Sequence, residues 1–130
     1  MNNYFLRIAA FSGALAVALG AFGAHALRSL LSEKILDAYQ TGVLYHFVHT
    51  LLLAIIGMLY HQNSNTWLRR AGFLLIAGLL LFSGSLYTMA FLYAGGFDFA
   101  TKLGMITPFG GLAYIAGWLC MFRALLAKEN

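Results

Sequence analysis

Charge is scarce in this sequence. Only 9% of the residues are Asp, Glu, Lys or Arg, where a water-soluble domain carries about 25%. Four residues are acidic, one is proline and one is cysteine. Each shortage excludes something. A lone thiol, Cys120, closes no disulfide within the chain and fits no metal-ligand spacing, so it reads as a small apolar residue. With no carboxylate inside an apolar run, an ion-coupled transporter is disfavoured, because such proteins rely on buried carboxylates or charge pairs. There is no phosphate-binding glycine loop, zinc-protease motif or paired carboxylate, and no serine has an accompanying base and acid. The chain therefore reads as not an enzyme, with no resident cofactor or metal. The net charge of +4 is no nucleic-acid footprint, since the basic residues cluster at the ends of apolar runs, where they meet lipid phosphates.

Apolar surface is what the sequence has in excess: 62% hydrophobic residues and a mean hydropathy of +0.80. Residues 8–27, 43–60, 71–94 and 103–122 hold no Asp, Glu, Lys or Arg. A helix rises 1.5 Å per residue, so roughly 20 residues cross a hydrocarbon core about 30 Å thick. These runs predict an all-α, integral-membrane bundle of four transmembrane helices forming a single domain over residues 1–130, with lipid as its solvent. The first run is longer than the core of a secretory signal and three more follow it, so it reads as a retained span. Four spans put both termini on one side, with Arg7, Arg69, Arg70, Arg123 and Lys128; Arg28, Lys34 and Lys102 fall on the other. That excess predicts that both termini lie on the cytoplasmic side of the membrane.

The connections are short. Residues 28–42 carry Leu30, Leu31, Ile35, Leu36 and Tyr39 at helical spacing, which predicts either a separate interfacial helix over about 29–39 or an extension of the second span. Residues 61–66 read as a polar turn, Trp67 beside Arg69 and Arg70 as an interfacial anchor, and Gly95-Gly96 as the end of the third span. Tyr87 and Tyr93 read as belt residues. Small residues recur four or seven apart: Ala9 with Gly13, Ala16 with Gly20 and Ala24, Ala77 with Gly84, Gly110 with Gly117, and Ala113 with Gly117. Such strips let backbones approach closely in lipid, which assigns Gly13, Gly20, Gly84, Gly110 and Gly117 to helix packing, inside the bundle rather than in a dimer.

The polar residues of the spans are the places where chemistry can reside. His46 and His49 are three apart on one helix, and His25 ends the first span on the same side of the membrane. Together they permit a metal, a haem, a quinone head group or a proton relay, against the plainer reading of imidazoles that lock helices together. Thr107-Pro108 predicts a helix start with Thr107 as cap, after a less regular stretch at 103–106, or else a continuous helix kinked at Pro108. A helix end inside the lipid region can face a cavity and receive an anionic or carbonyl-bearing ligand. Ser83 and Ser85 are expected to bond back to a carbonyl one turn earlier or across to a neighbour.

Four ordered signatures resemble one family. They are Gly20-Ala21-Phe22-Gly23-Ala24-His25; Tyr39-Gln40-Thr41-Gly42 with Tyr45, His49 and Thr50; Phe82-Ser83-Gly84-Ser85-Leu86-Tyr87; and Thr107-Pro108-Phe109-Gly110-Gly111 followed by Gly117-Trp118. In order and spacing the chain resembles the YgdD/YwdK family of small bacterial inner-membrane proteins, a domain-of-unknown-function family with a similar small transmembrane protein in eukaryotes. The resemblance covers nearly the whole chain and includes His49 but not His46. It implies a four-span protein of the cytoplasmic membrane and brings no established substrate or catalytic residue. The expected role is accessory, scaffolding or lipid-associated, with membrane lipids and a homo-oligomer or membrane-protein complex as partners. The alternative is a binding or conducting module in which His25, His49, Thr107 and Pro108 line a pocket for a quinone, haem or small solute.

Overall fold

A computed structural model describes residues 3–127, which are helical with no strand. Lys128 lies outside the described residues. Helix α1 covers Tyr4–Phe22 and continues as a π-helical turn, Gly23–Leu27. Helix α2 covers Glu33–Gln62. Helix α3 (Thr66–Gly78) passes through a π-helical segment, Leu79–Ser83, into α4 (Gly84–Ala94), and a 3₁₀ stretch, Asp98–Met105, leads into α5 (Thr107–Leu126). Four continuous helices result, Tyr4–Leu27, Glu33–Gln62, Thr66–Ala94 and Asp98–Leu126, each long and apolar enough to cross a membrane.

Local chemistry sets the boundaries. Ser32 is extended and its hydroxyl accepts from the Ile35 amide at 3.4 Å, so α2 starts there, with Glu33 complementing the positive helix end. Residues 29–39 therefore form no separate interfacial helix. Those beyond Ser32 are the first turns of a 30-residue α2, because nothing between Ser32 and the second apolar run breaks the backbone ladder. Asn65 caps α3 by accepting from the Trp67 amide at 2.7 Å. At the end of α4, Gly96 adopts φ +84°, and the Phe97 and Gly96 amides reach back to the Leu92 and Tyr93 carbonyls, a Schellman closure that favours glycine. Pro108 sits in the first turn of α5, where its missing amide hydrogen costs no helix bond.

Neighbouring helices run antiparallel, as the falling partner numbers show. Along α1, Leu6, Gly13, Gly20 and Gly23 meet Gly57, Thr50, Val43 and Tyr39 of α2. Along the third span, Leu75, Gly78 and Phe82 meet Gly117, Tyr114 and Gly110 of α5. At one end Phe5, Leu53, Ile56, Ala71, Leu75 and Tyr114 share an apolar cluster; at the other, Leu27, Ile35, Tyr39, Leu86 and Ala90 form a second. Phe11, Leu80, Leu112 and Leu119 point outward, as suits lipid-facing side chains.

The packing glycines are not equivalent. A Cβ on Gly13 would meet Thr50 Cγ2 at an ordinary 3.7 Å, on Gly20 would press Val43 Cγ1 at 3.2 Å, and on Gly117 would crowd Leu75 Cδ2 at 2.9 Å. Gly110 is the extreme case, since a Cβ there would overlap the Phe82 backbone. Gly84 departs from expectation. Its nearest neighbour is its own helix's Leu79 carbonyl at 3.6 Å, so it packs no second helix. Gly20→Leu is expected to lower stability by about 1–3 kcal/mol through overfilling, while Gly84→Ala stays within about 0.5 kcal/mol of wild type. Thermal unfolding in mild detergent, followed by circular dichroism, checks both.

Candidate functional site

A polar waist separates the two apolar clusters. Ser12 of α1 lies 2.7 Å from Thr50 Oγ1 and 2.9 Å from His46 Nε2, both on α2, and His46 Nδ1 lies 2.8 Å from the Tyr87 hydroxyl on α4. All four side chains are buried. In hydrocarbon these groups have no water to bond, so they gather and tie three helices together. Tyr87 is thus no belt residue: its ring packs 5.2 Å from Tyr39 and its hydroxyl belongs to the interior chain. Ser12 is the sole polar side chain in the first run before His25, which was a legible sign of an inward-facing group.

His49 turns to a different neighbour. Three helical residues advance about 300°, leaving its ring about 60° around the helix from that of His46. Its Nδ1–H donates to the Tyr45 carbonyl at 2.7 Å, which leaves Nε2 as the acceptor, and Trp118 of α5 donates to it at 3.3 Å. The imidazole also stacks on Tyr114, with centroids 3.5 Å apart and planes 12° from parallel. The buried Tyr114 hydroxyl makes no well-formed hydrogen bond among the described residues.

The serines couple the third span to its neighbours. Ser83 donates to the Gly42 carbonyl at 2.8 Å. Ser85 donates to the Phe82 carbonyl at 2.8 Å, so Thr107, 2.8 Å away, donates to Ser85. Thr107 is therefore no helix cap. Its side chain faces α4 because the last 3₁₀ turn before α5 leaves Ile106 at the cap position. The π-helical segment Leu79–Ser83 adds a residue to its turn, with Gly84 N–H bonding to the Leu79 carbonyl, just where Gly110 meets the Phe82 backbone. No glycine or proline in Leu79–Ser83 announces it.

The residues expected to share one pocket are distributed. His49 lines a groove with Phe82, Gly111, Tyr114 and Trp118. Thr107 lines a different cleft with Lys34, Ile35 and Met89, and Pro108 is exposed. His25 is exposed on the π-helical turn that ends the first span and has no hydrogen-bonding partner among the described residues. The three imidazoles do not converge, and no group of three His, Cys, Asp or Glu able to hold a metal occurs among the described residues. Tyr39, read from the sequence only as part of an apolar helical face and of a family signature, is fully buried, and its hydroxyl donates to the Leu19 carbonyl, pinning α2 to α1.

Comparison with known proteins adds the lineage. Residues 19–111 match the family model described as protein of unknown function (DUF423). The UPF0382 membrane protein YwdK of Bacillus subtilis is 40% identical over 127 residues, covering 92% of this chain and 94% of its own. A UPF0382 membrane protein of Staphylococcus haemolyticus is 40% identical over 117 residues, covering 90% of each chain. One from Staphylococcus aureus strain USA300 is 37% identical over 120 residues, covering 92% of this chain and 93% of its own. No solved structure matches.

Proposed function

The chain belongs to the DUF423 family of membrane proteins, and from that premise we propose that it is a non-catalytic, multi-pass component of the bacterial cytoplasmic membrane that acts as an accessory or scaffold. One observation carries this reading. The polar side chains of the spans bond to one another and tie helices, as His46 does with Ser12 and Tyr87 and His49 with Trp118. What the bundle presents outward is apolar surface, suited to lipid and to other spans. The basic groups support the orientation. Arg70 and Arg123 lie 4.7 and 5.8 Å from the Trp67 ring centroid, gathering charge where α3 starts and α5 ends, as a cytoplasmic interface with anionic lipid favours.

Two measurements test the proposal. A fluorescent protein fused to either terminus should fluoresce and alkaline phosphatase at either terminus should be inactive; the reverse pattern overturns the orientation. On native gels, outward substitutions such as Leu112→Trp should alter the migration of the membrane complex, whereas His49→Gln, if it folds, should not. Stoichiometric haem or metal in the purified protein, lost on His49→Gln, overturns the non-catalytic reading.

A further inference from the structure

A cleft of about 220 Å³ opens sideways toward the lipid between α1 and the third span. Phe11, Leu15, Ile76 and Leu80 make its apolar walls, and Ser12, His46 and Tyr87 contribute to its lining, all three more than nine-tenths buried. Gly84 also borders it, and since this glycine meets no other helix, its missing side chain leaves the space open. We propose that this cleft binds the head of a neutral, lipid-soluble carbonyl compound of the quinone class.

The hydrogen count in the buried chain shows what the cleft offers. Thr50, Ser12, neutral His46 and Tyr87 bring one hydrogen each, while three links join them. One hydrogen is always left over. With Nδ1–H on His46, the ring donates to Tyr87, Ser12 donates to Nε2, Thr50 donates to Ser12, and the Tyr87 hydroxyl holds the spare. With Nε2–H, Tyr87 donates to Nδ1 and the spare moves to Ser12 or Thr50. Two of these three holders, Tyr87 and Ser12, border the cleft. An oxygen acceptor entering the cleft selects the arrangement that hands it the spare hydrogen.

Depth and charge narrow the acceptor. Ser12 lies eight residues into α1, about 12 Å along the helix from its Tyr4 end. No Asp, Glu, Lys or Arg lines the cleft, so a charged head group entering it would lie unpaired in a low-dielectric environment. Phospholipid esters are held near the headgroups by their charged phosphates. A plain hydrocarbon leaves the spare hydrogen unused. A ring carbonyl on an apolar tail satisfies all three conditions, with its tail passing the exposed Phe11 and Leu80 into the bilayer.

The test uses the full chain in phosphatidylcholine nanodiscs and a naphthoquinone with a short isoprenoid tail, both as a binding ligand and as an azido photoprobe. Saturable binding is expected, with adducts on the segments holding Phe11 and Leu80. Tyr87→Phe leaves Ser12 as the one hydroxyl bordering the cleft and should weaken binding by up to about tenfold, the worth of one buried hydrogen bond. The same tail on a naphthalene without ring oxygens should bind at least about tenfold more weakly. Leu80→Trp, at an exposed position outside the hydrogen-bonded chain, should block the cleft without shifting the melting temperature, which keeps the test valid if Tyr87→Phe misfolds. No saturable binding, adducts elsewhere, equal affinity for the oxygen-free analogue, or full affinity in Leu80→Trp overturns the proposal.

Discussion

Gly110→Ala is expected to be among the most damaging single-methyl additions to this protein. The added Cβ would fall on the Leu81–Phe82 backbone, within 2.7 Å of both Leu81 C and Phe82 Cα. Against Val43 Cγ1 at 3.2 Å, a Cβ on Gly20 needs only a small shift of the neighbouring side chain, but a backbone can yield only by moving a helix. The helix in question is at its π-helical turn, whose neighbouring hydrogen bond from Ser83 to the Gly42 carbonyl would shift with it. Overfilling a packed site costs about 1–3 kcal/mol, and a backbone clash belongs at the upper end. Gly110→Ala should therefore lower the melting temperature in detergent and the steady-state abundance in the membrane well beyond Gly20→Ala. Equal effects at the two positions would show that α5 does not approach the third span this closely.

His46→Leu is expected to follow as the second large loss. Leucine fills much of the volume but leaves the Tyr87 hydroxyl without its partner and Ser12 with only Thr50. An orphaned buried polar group costs about 1–3 kcal/mol. The diagnostic feature is non-additivity. His46→Leu combined with Tyr87→Phe should be more stable than His46→Leu alone, because the double variant removes the orphaned hydroxyl together with the ring while Ser12 and Thr50 keep each other. His61→Ala, at the exposed end of α2, should stay within about 0.5 kcal/mol of wild type. Chemical denaturation in mixed micelles measures the series, and strictly additive losses would mean that the chain does not act as a unit.

The sequence makes the spans legible because hydrocarbon imposes one rule along their whole length: every backbone group bonds internally and charge stays out. Small-residue spacing makes the tight glycines at 110 and 117 legible, Pro108 marks the irregular stretch ahead of it, and the four ordered motifs carry the resemblance to the family. Direction within the bundle is harder to read. His46 and His49 look like one site on a helical face, yet about 60° separates their rings and each meets a different helix. Tyr87 resembles a belt residue by position along its span and is recruited inward by His46. Thr107 resembles a cap, but the 3₁₀ turn before it passes the cap position to Ile106 and its hydroxyl to Ser85. Gly84 sits at packing spacing, but the preceding π-helical turn displaces it from the α-helical phase and leaves it beside the cleft. In each case the deciding contact comes from another helix, which spacing along one run cannot encode.

Single cysteines introduced into a Cys120→Ala background test the four-pass antiparallel bundle most directly. Spheroplasts and inverted vesicles would each be treated with a membrane-impermeant maleimide. Ser29→Cys and Phe97→Cys should label from one face, Ser64→Cys from the opposite face only, and Leu112→Cys, facing hydrocarbon, from neither. Labelling of Ser64→Cys from the same face as Ser29→Cys, or ready labelling of Leu112→Cys by the aqueous reagent, would contradict the account.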